Sequence, residues 1–234
     1  ALASMSFAQM LSVSVFGGYT TLAMEETNNE IDEFEEGLVL LGGSEENVTK
    51  ENINSAFMGG IDVGIMLSKE ISIGSRIALI TGASGKARLD DDASDDYFEL
   101  NMSLGLLPVM AGGKIMFGEE IKAGLSAYGG MGFASGNYEL ATMTGGTEDS
   151  DLINFAGSGM VVDVAGSIGA ELPSGVTGGL EVGYRIAKVA EMKTTEENTD
   201  MGVEKDEVVE NSDNEPMEFD YSGITANVFL TLAF

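Results

Sequence analysis

The chain has 234 residues and sets 39 acidic side chains against 11 Lys plus Arg, a formal charge of −28 that repels a phosphate backbone and excludes nucleic acid as a partner. Having neither Cys nor His, it holds no disulfide, no thiolate nucleophile, and neither the commonest metal ligand nor the usual neutral-pH base. Its length suits one domain, 1–234, and no apolar run approaches the roughly 20 residues of a membrane-crossing helix.

The N-terminal stretches Ala1-Leu2-Ala3 and Ser6-Phe7-Ala8 have the small-x-Ala form that precedes signal-peptidase cleavage, as expected of an exported chain. From Gln9 to Thr21, Leu11, Val13, Val15 and Tyr19 alternate with Ser12, Ser14, Gly18 and Thr20, the period of a strand. Glu25 to Ser55 is strongly acidic, with Lys50 alone against it, and reads as a long loop with a short element at Leu38 to Leu41. Ile61, Val63, Ile65 and Leu67 then share a face opposite Asp62. After a turn at Ser68-Lys69-Glu70 the chain runs back through Ile71, Ile73, Ile77 and Leu79, opposite Arg76 and Lys86, as a hairpin.

Asp90 to Asp96 forms a second acidic loop, followed by a strand over Phe98 to Phe117. Met102, Leu104 and Leu106 lie on one face there, and a bulge near Leu107-Pro108 is expected to separate them from Lys114. Gly118-Glu119-Glu120 is a short turn. Ile121 to Asn137 alternates again, and a third polar loop is expected over Ala141 to Asn154. Val162, Val164 and Ile168 oppose Asp163 and Glu171. Pro173-Ser174-Gly175 turns the chain, and Leu180, Val182, Tyr184 and Ile186 oppose Glu181 and Arg185. Thr194 to Phe219 is the fourth acidic loop, and Tyr221 to Phe234 the last strand.

Eight strands with short turns at one end and longer polar loops at the other predict an all-β fold: an eight-stranded antiparallel up-and-down transmembrane β-barrel with short periplasmic turns and long acidic extracellular loops. Closing the sheet removes edges that lipid cannot hydrogen-bond. The apolar parity predicts a lipid-facing set including Val13, Val15, Ile61, Val63, Ile65, Ile73, Ile77, Leu104, Leu125, Val162, Val164, Leu180, Val182, Val228 and Leu230. The opposite face assembles a lumen charge network from Asp62, Arg76, Lys114, Asp163, Glu171, Glu181 and Arg185, since buried charges must pair and a barrel this narrow is filled by side chains.

Three stretches resemble the small eight-stranded outer-membrane barrels of Gram-negative bacteria, porin-like and surface-antigen types among them. Leu107 to Phe117 resembles that family's fourth strand, Leu125 to Phe133 its Gly-rich fifth, and Glu181 to Arg185 with Asp220 to Phe234 its closing hairpin. The resemblance implies outer-membrane lipid and lipopolysaccharide as surroundings and places both termini on the periplasmic side. It also implies that the barrel assembly machinery engages the C-terminal strand, with Phe234 as the assembly signal.

Outer-membrane barrel enzymes resemble one another in relying on His, which this chain lacks, so no catalytic residue and no cofactor is expected. Asp90, Asp92, Ser94 and Asp96 have the spacing that opens an EF-hand, but Asp95 stands where Gly is needed and Asn101 where Glu is needed. Asp90, Asp92 and Asp96 therefore remain only loose Ca²⁺ or Mg²⁺ candidates. The expected function is a structural, adhesin-like or docking component of the envelope, meeting an envelope or extracellular protein partner. The alternative is a narrow cation-favouring channel or small-solute conduit. A soluble lipocalin-type barrel has the same strand number, and partition without detergent separates it from the other two.

Overall fold

A computed structural model describes residues 10–40, 46–91, 94, 96–172 and 175–234. The two small-x-Ala stretches, and Asp92, Asp95, Pro173 and Ser174, lie outside these residues. In chain order the elements are β1 (Met10–Thr21), α1 (Glu25–Leu40), β2 (Val48–Glu51), β3 (Ser55–Met66), β4 (Ile71–Asp90), β5 (Tyr97–Phe117) and β6 (Ile121–Thr144). They continue with β7 (Thr147–Glu171), β8 (Val176–Val189), β9 (Met192–Thr194), β10 (Phe219–Asp220) and β11 (Gly223–Ala233).

Hydrogen bonding runs antiparallel from β1 through β3, β4, β5, β6, β7 and β8 to β11, and β11 pairs back with β1 through Val13↔Leu232 to Thr20↔Thr225. The ring is closed. The chain is an eight-stranded antiparallel barrel, and each backbone group in the ring has a neighbouring strand to pair with.

Alternation decides which side chains face out. Val15, Ile61, Ile73, Val109, Leu125, Val164, Val182 and Val228, one from each ring strand, are exposed on the outer wall. Such a continuous apolar girdle far exceeds what a soluble monomer leaves in water, and it is the surface a bilayer solvates. The girdle stops sharply. Beyond Phe133 the outward positions of β6 become Ser135, Asn137 and Glu139, and on β5 those beyond Leu107 are Ser103, Asn101 and Glu99. Polar continuations of β4 to β7 therefore stand above the belt.

The structure differs from the sequence expectation at four places. The first acidic loop contains a helix: Thr27, Ile31 and Leu38 are buried and Phe34 packs with them, a spacing that places all four on one face of α1. The expected element at 38–41 is the end of this helix, Leu41 lying outside the described residues. The third polar loop is instead strand. β6 and β7 stay paired up to Thr144↔Thr147 around Gly145-Gly146, whose φ values of 59° and 81° are the left-handed pair a tight hairpin requires. The fourth loop, Thr194 to Phe219, begins and ends in short strands: Thr194 closes β9 and Phe219 opens β10, which pair with β7 and β8.

The last difference concerns parity. No bulge interrupts β5, which keeps one register with β6 from Tyr97 to Phe117, so Met102, Leu104 and Leu106 share the inward face with Lys114. Leu104, expected in the lipid-facing set, is 4% exposed inside the barrel. The bulge lies instead on β4 between Ile80 and Ala83, beside Gly82 at φ 76°. It switches the inward set from Arg76, Ala78 and Ile80 to Ala83, Gly85 and Ala87.

Candidate functional site

The interior is layered. At the upper, loop-side end it is apolar: Ile80, Met102, Leu106, Phe155, Met192 and Tyr221 are buried together with Phe219 and Met217 from the long connection before β11. Phe155 lies 4.9 Å from Tyr138 and 5.5 Å from Phe219 between ring centroids, and Tyr221 donates its hydroxyl to the Gly105 carbonyl at 3.1 Å. This is a core like that of a soluble domain, sitting in the mouth of the barrel.

Helix α1 closes it from above. Asn28 exchanges two hydrogen bonds with the backbone of Ile53, at 2.7 and 3.1 Å. Lys50 on β2 reaches Glu35 at 2.6 Å and Asp32 at 3.1 Å, and the Glu35 and Asp32 hydrogen bonds raise its pKa above the ordinary lysine value, keeping it charged. Two helix carboxylates bind the fourth connection directly: Glu26 accepts from the Glu218 amide at 2.7 Å, and Glu30 from the Ser212 amide at 2.8 Å. Acids that read as a solvated run in the sequence thus hold two distant segments together. Glu33, Glu36, Glu196, Glu197, Asp200 and Glu204 stay exposed on the cap.

Beneath the apolar layer lie the charges. Arg76 donates from Nε to Asp62 Oδ1 at 2.7 Å and from Nη2 to Asp62 Oδ2 at 2.9 Å, and its Nη2 also meets Glu181 at 3.0 Å. Phe16 and Tyr128 flank its guanidinium, with ring centroids at 4.8 and 4.5 Å. Arg185 pairs with Asp163 at 3.3 Å and contacts Met58 Sδ, and Asp163 lies 3.8 Å from Arg76 Nη1. Asp62 and Arg76 are register partners on β3 and β4, as Asp163 and Arg185 are on β7 and β8, so strand pairing itself brings opposite charges face to face. Glu181 enters from β8 across the lumen.

Two members of the sequence-derived set take no part in this ion cluster. Glu171 is exposed at the turn-side rim, where Lys122 reaches it at 3.1 Å. Lys114 faces the lumen with its ammonium 4.4 Å from the Phe229 ring, and among the described residues no carboxylate lies within ion-pair distance of it. Of the cation candidates, Asp90 pairs with Arg88 at 2.7 Å and Asp96 accepts from the Gly145 amide at 2.8 Å, while Asp92 lies outside the described residues. Among the described residues no cluster of acidic side chains forms a metal-binding group.

No family model matches this chain, and no curated protein matches it. Among solved structures it is similar to Ail, the attachment invasion locus protein of Yersinia pestis. One Ail structure gives 10% identity and a TM-score of 0.37, covering 97% of this chain and 99% of that one. A second, in complex with the heparin analogue sucrose octasulfate, gives 8% identity and a TM-score of 0.34 at the same coverage. Both scores are below 0.5, and the barrel is established by this chain's own closed strand pairing.

Proposed function

We propose that this chain is a non-enzymatic outer-membrane barrel that carries an ordered acidic cap outward as a docking surface for a cationic envelope or extracellular protein. The observation that carries this reading is the cap itself. A barrel that served only as a membrane plug would need no helix locked across its mouth by Asn28, Glu26 and Glu30, and no sheet continued above the belt. Exposed carboxylates on a rigid support steer basic partners and repel polyanions. Lipid and lipopolysaccharide surround the belt, and the cap acids share divalent cations with that anionic surface without a dedicated metal site.

The channel alternative is disfavoured by the filled loop-side half of the interior. An ion entering from above meets the buried side chains of Met102, Leu106, Phe155 and Phe219 and then the fixed cations Arg76 and Arg185. In planar bilayers the purified barrel should show no stepwise conductance, and reproducible cation-selective openings would overturn the plug. In this orientation the short turns and both termini are periplasmic. An epitope at Glu204 should label on intact cells and one at Glu119 should not, and the reverse result inverts the topology. Docking is tested with a lysine-rich peptide on barrels in nanodiscs. Binding should weaken steeply between low and physiological salt and fall when Glu196, Glu197 and Asp200 are changed together to Gln or Asn. Binding that ignores both changes refutes an electrostatic cap.

Phe234 is 64% exposed, and its amide donates to the Leu11 carbonyl at 2.8 Å. On the outer wall at the turn-side rim it contributes one backbone contact to the finished barrel. Deleting it should lower the yield of assembled barrel in cells severalfold while the refolded protein unfolds at nearly the wild-type urea concentration. Equal losses in both assays would make Phe234 structural and remove its role as an assembly signal.

A further inference from the structure

Below the Arg76 layer the lumen is not filled. A cavity of about 770 Å³ occupies the turn-side half of the barrel, within the range of small-molecule sites, and opens beside Lys69, Glu119 and Gly175 in the three short turns. Asp62 and Tyr128 lie at its closed end, Phe229, Met66 and Met116 give it apolar wall, and the hydroxyls of Ser12, Ser14, Ser72, Thr177 and Thr231 line the rest. Ser14 and Thr231 are already bonded to each other at 2.6 Å.

The charges in this cup are ordered by depth. Lys114 sits inside it, four residues up β5 from the Gly118 turn, and is the one buried-side cation among the described residues that has no carboxylate partner. Glu70, Glu119 and Glu171 stand at the mouth, outnumbering Lys69 and Lys122; Lys122 pairs with Glu171, and Glu70 accepts from the Ser68 hydroxyl at 2.9 Å. Higher up, Arg76, Arg185 and Lys114 together match the charge of Asp62, Asp163 and Glu181. A simple anion would have to pass the rim carboxylates and would unbalance this interior. A simple cation would be held at the rim and leave Lys114 unanswered, and an apolar solute would strip water from the hydroxyls without replacing it.

We propose that the cup binds a small phosphate–ammonium zwitterion, phosphate inward on the Lys114 ammonium and the wall hydroxyls, ammonium outward among Glu70, Glu119 and Glu171. Such a ligand adds no net charge, offers several acceptors to Lys114 and Ser72, Ser12 already donating to the Gly64 carbonyl at 3.3 Å, and sets its phosphate on the inner cation and its ammonium on the outer carboxylates. The same chemistry is available as a free phosphoamine or as the headgroup of a membrane lipid entering from the turn side. The inference concerns the face opposite the acidic cap and stands independently of cap docking.

The probe is phosphoethanolamine, titrated into the full-length barrel in amphipol while amide resonances are followed by NMR, with inorganic phosphate and ethanolamine as separate titrants. Saturable shifts at Ser14, Gly113 and Lys114 are expected, with either half-ligand at least about tenfold weaker, a step of ~1.4 kcal/mol. Lys114→Gln should weaken binding by at least the same factor in a barrel that still folds. The unfolding midpoint is measured alongside, because the change also leaves Asp62, Asp163 and Glu181 one cation short and removes the Phe229 contact. Lys114→Arg should bind. A second arm compares nanodiscs of phosphatidylethanolamine with nanodiscs of phosphatidylglycerol, and shifts at the same residues only in the former identify a lipid headgroup as the source. A signal in either arm supports the site. No shift in either, phosphate binding as tightly as phosphoethanolamine, or undiminished binding by Lys114→Gln overturns it.

Discussion

Replacing Arg76 with Met is expected to destabilise the folded barrel by about 3–5 kcal/mol, the cost of removing one partner from a buried ion cluster. The loss comes from what is left behind. Asp62 and Glu181 are held by the same guanidinium at 2.7 to 3.0 Å, and without it the buried Glu181 faces Asp62, at the closed end of the turn-side cavity, with no cation between them. Met fills the space between Phe16 and Tyr128 that the Arg stem occupied, so a cavity is not the cause. Urea unfolding in lipid vesicles measures the change. Combining Arg76→Met with Asp62→Asn and Glu181→Gln removes the stranded charges and should recover most of the stability. A triple variant as unstable as the single one would show that packing, not charge, is what Arg76 supplies.

Much of the barrel was legible because a strand between lipid and a narrow lumen has to alternate, and this chain alternates at short range. Asp62 and Arg76 lie on adjacent strands joined by a tight turn, so parity alone places both in the lumen, and pairing makes them register partners. Glu181 is brought to the same guanidinium from far along the chain only by ring closure, which a linear reading supplies once the strand count is even.

What the sequence concealed lies above the membrane, where the physical rule changes. Within the belt, apolar residues face outward. Beyond it water lies outside, and Met102, Leu104 and Leu106 face inward like the core of any soluble protein, on the same parity as Lys114. Reading these three as lipid-facing required an irregularity near Pro108 that β5 does not contain. Helix α1 was hidden in a similar way. Ile31, Phe34 and Leu38 carry its periodicity, but they are spaced among Glu30, Asp32, Glu33, Glu35 and Glu36, and acid density masks the period. The hairpin signal Thr144-Gly145-Gly146-Thr147 was present, yet the flanking Glu148, Asp149 and Asp151 made a strand look like a loop. The turn-side cup has no local signature, because its lining comes from strand ends distributed along the chain.

A cation placed on the belt at Val164 should cost about 2–4 kcal/mol as Arg, whereas the same change at Leu172, farther along the same face at the turn-side end, should cost no more than about 1 kcal/mol. Both positions point outward, at 53% and 44% exposure. In a soluble protein their exposure would make Arg equally harmless at either. The difference is depth. Val164 pairs with Ala127 on β6 and Tyr184 on β8 in the middle of the ring, with Leu125, Val162, Ile168 and Val182 outward around it. An Arg there must draw water into the hydrocarbon or bend its long side chain toward a distant interface. At Leu172 the guanidinium reaches that interface directly. Unfolding of each variant in vesicles of the same lipid gives the two costs, and refolding into thinner bilayers should shrink the Val164 penalty while leaving that at Leu172 unchanged. Equal tolerance at both positions would mean that water, not lipid, surrounds this wall, and would return the chain to the soluble barrels.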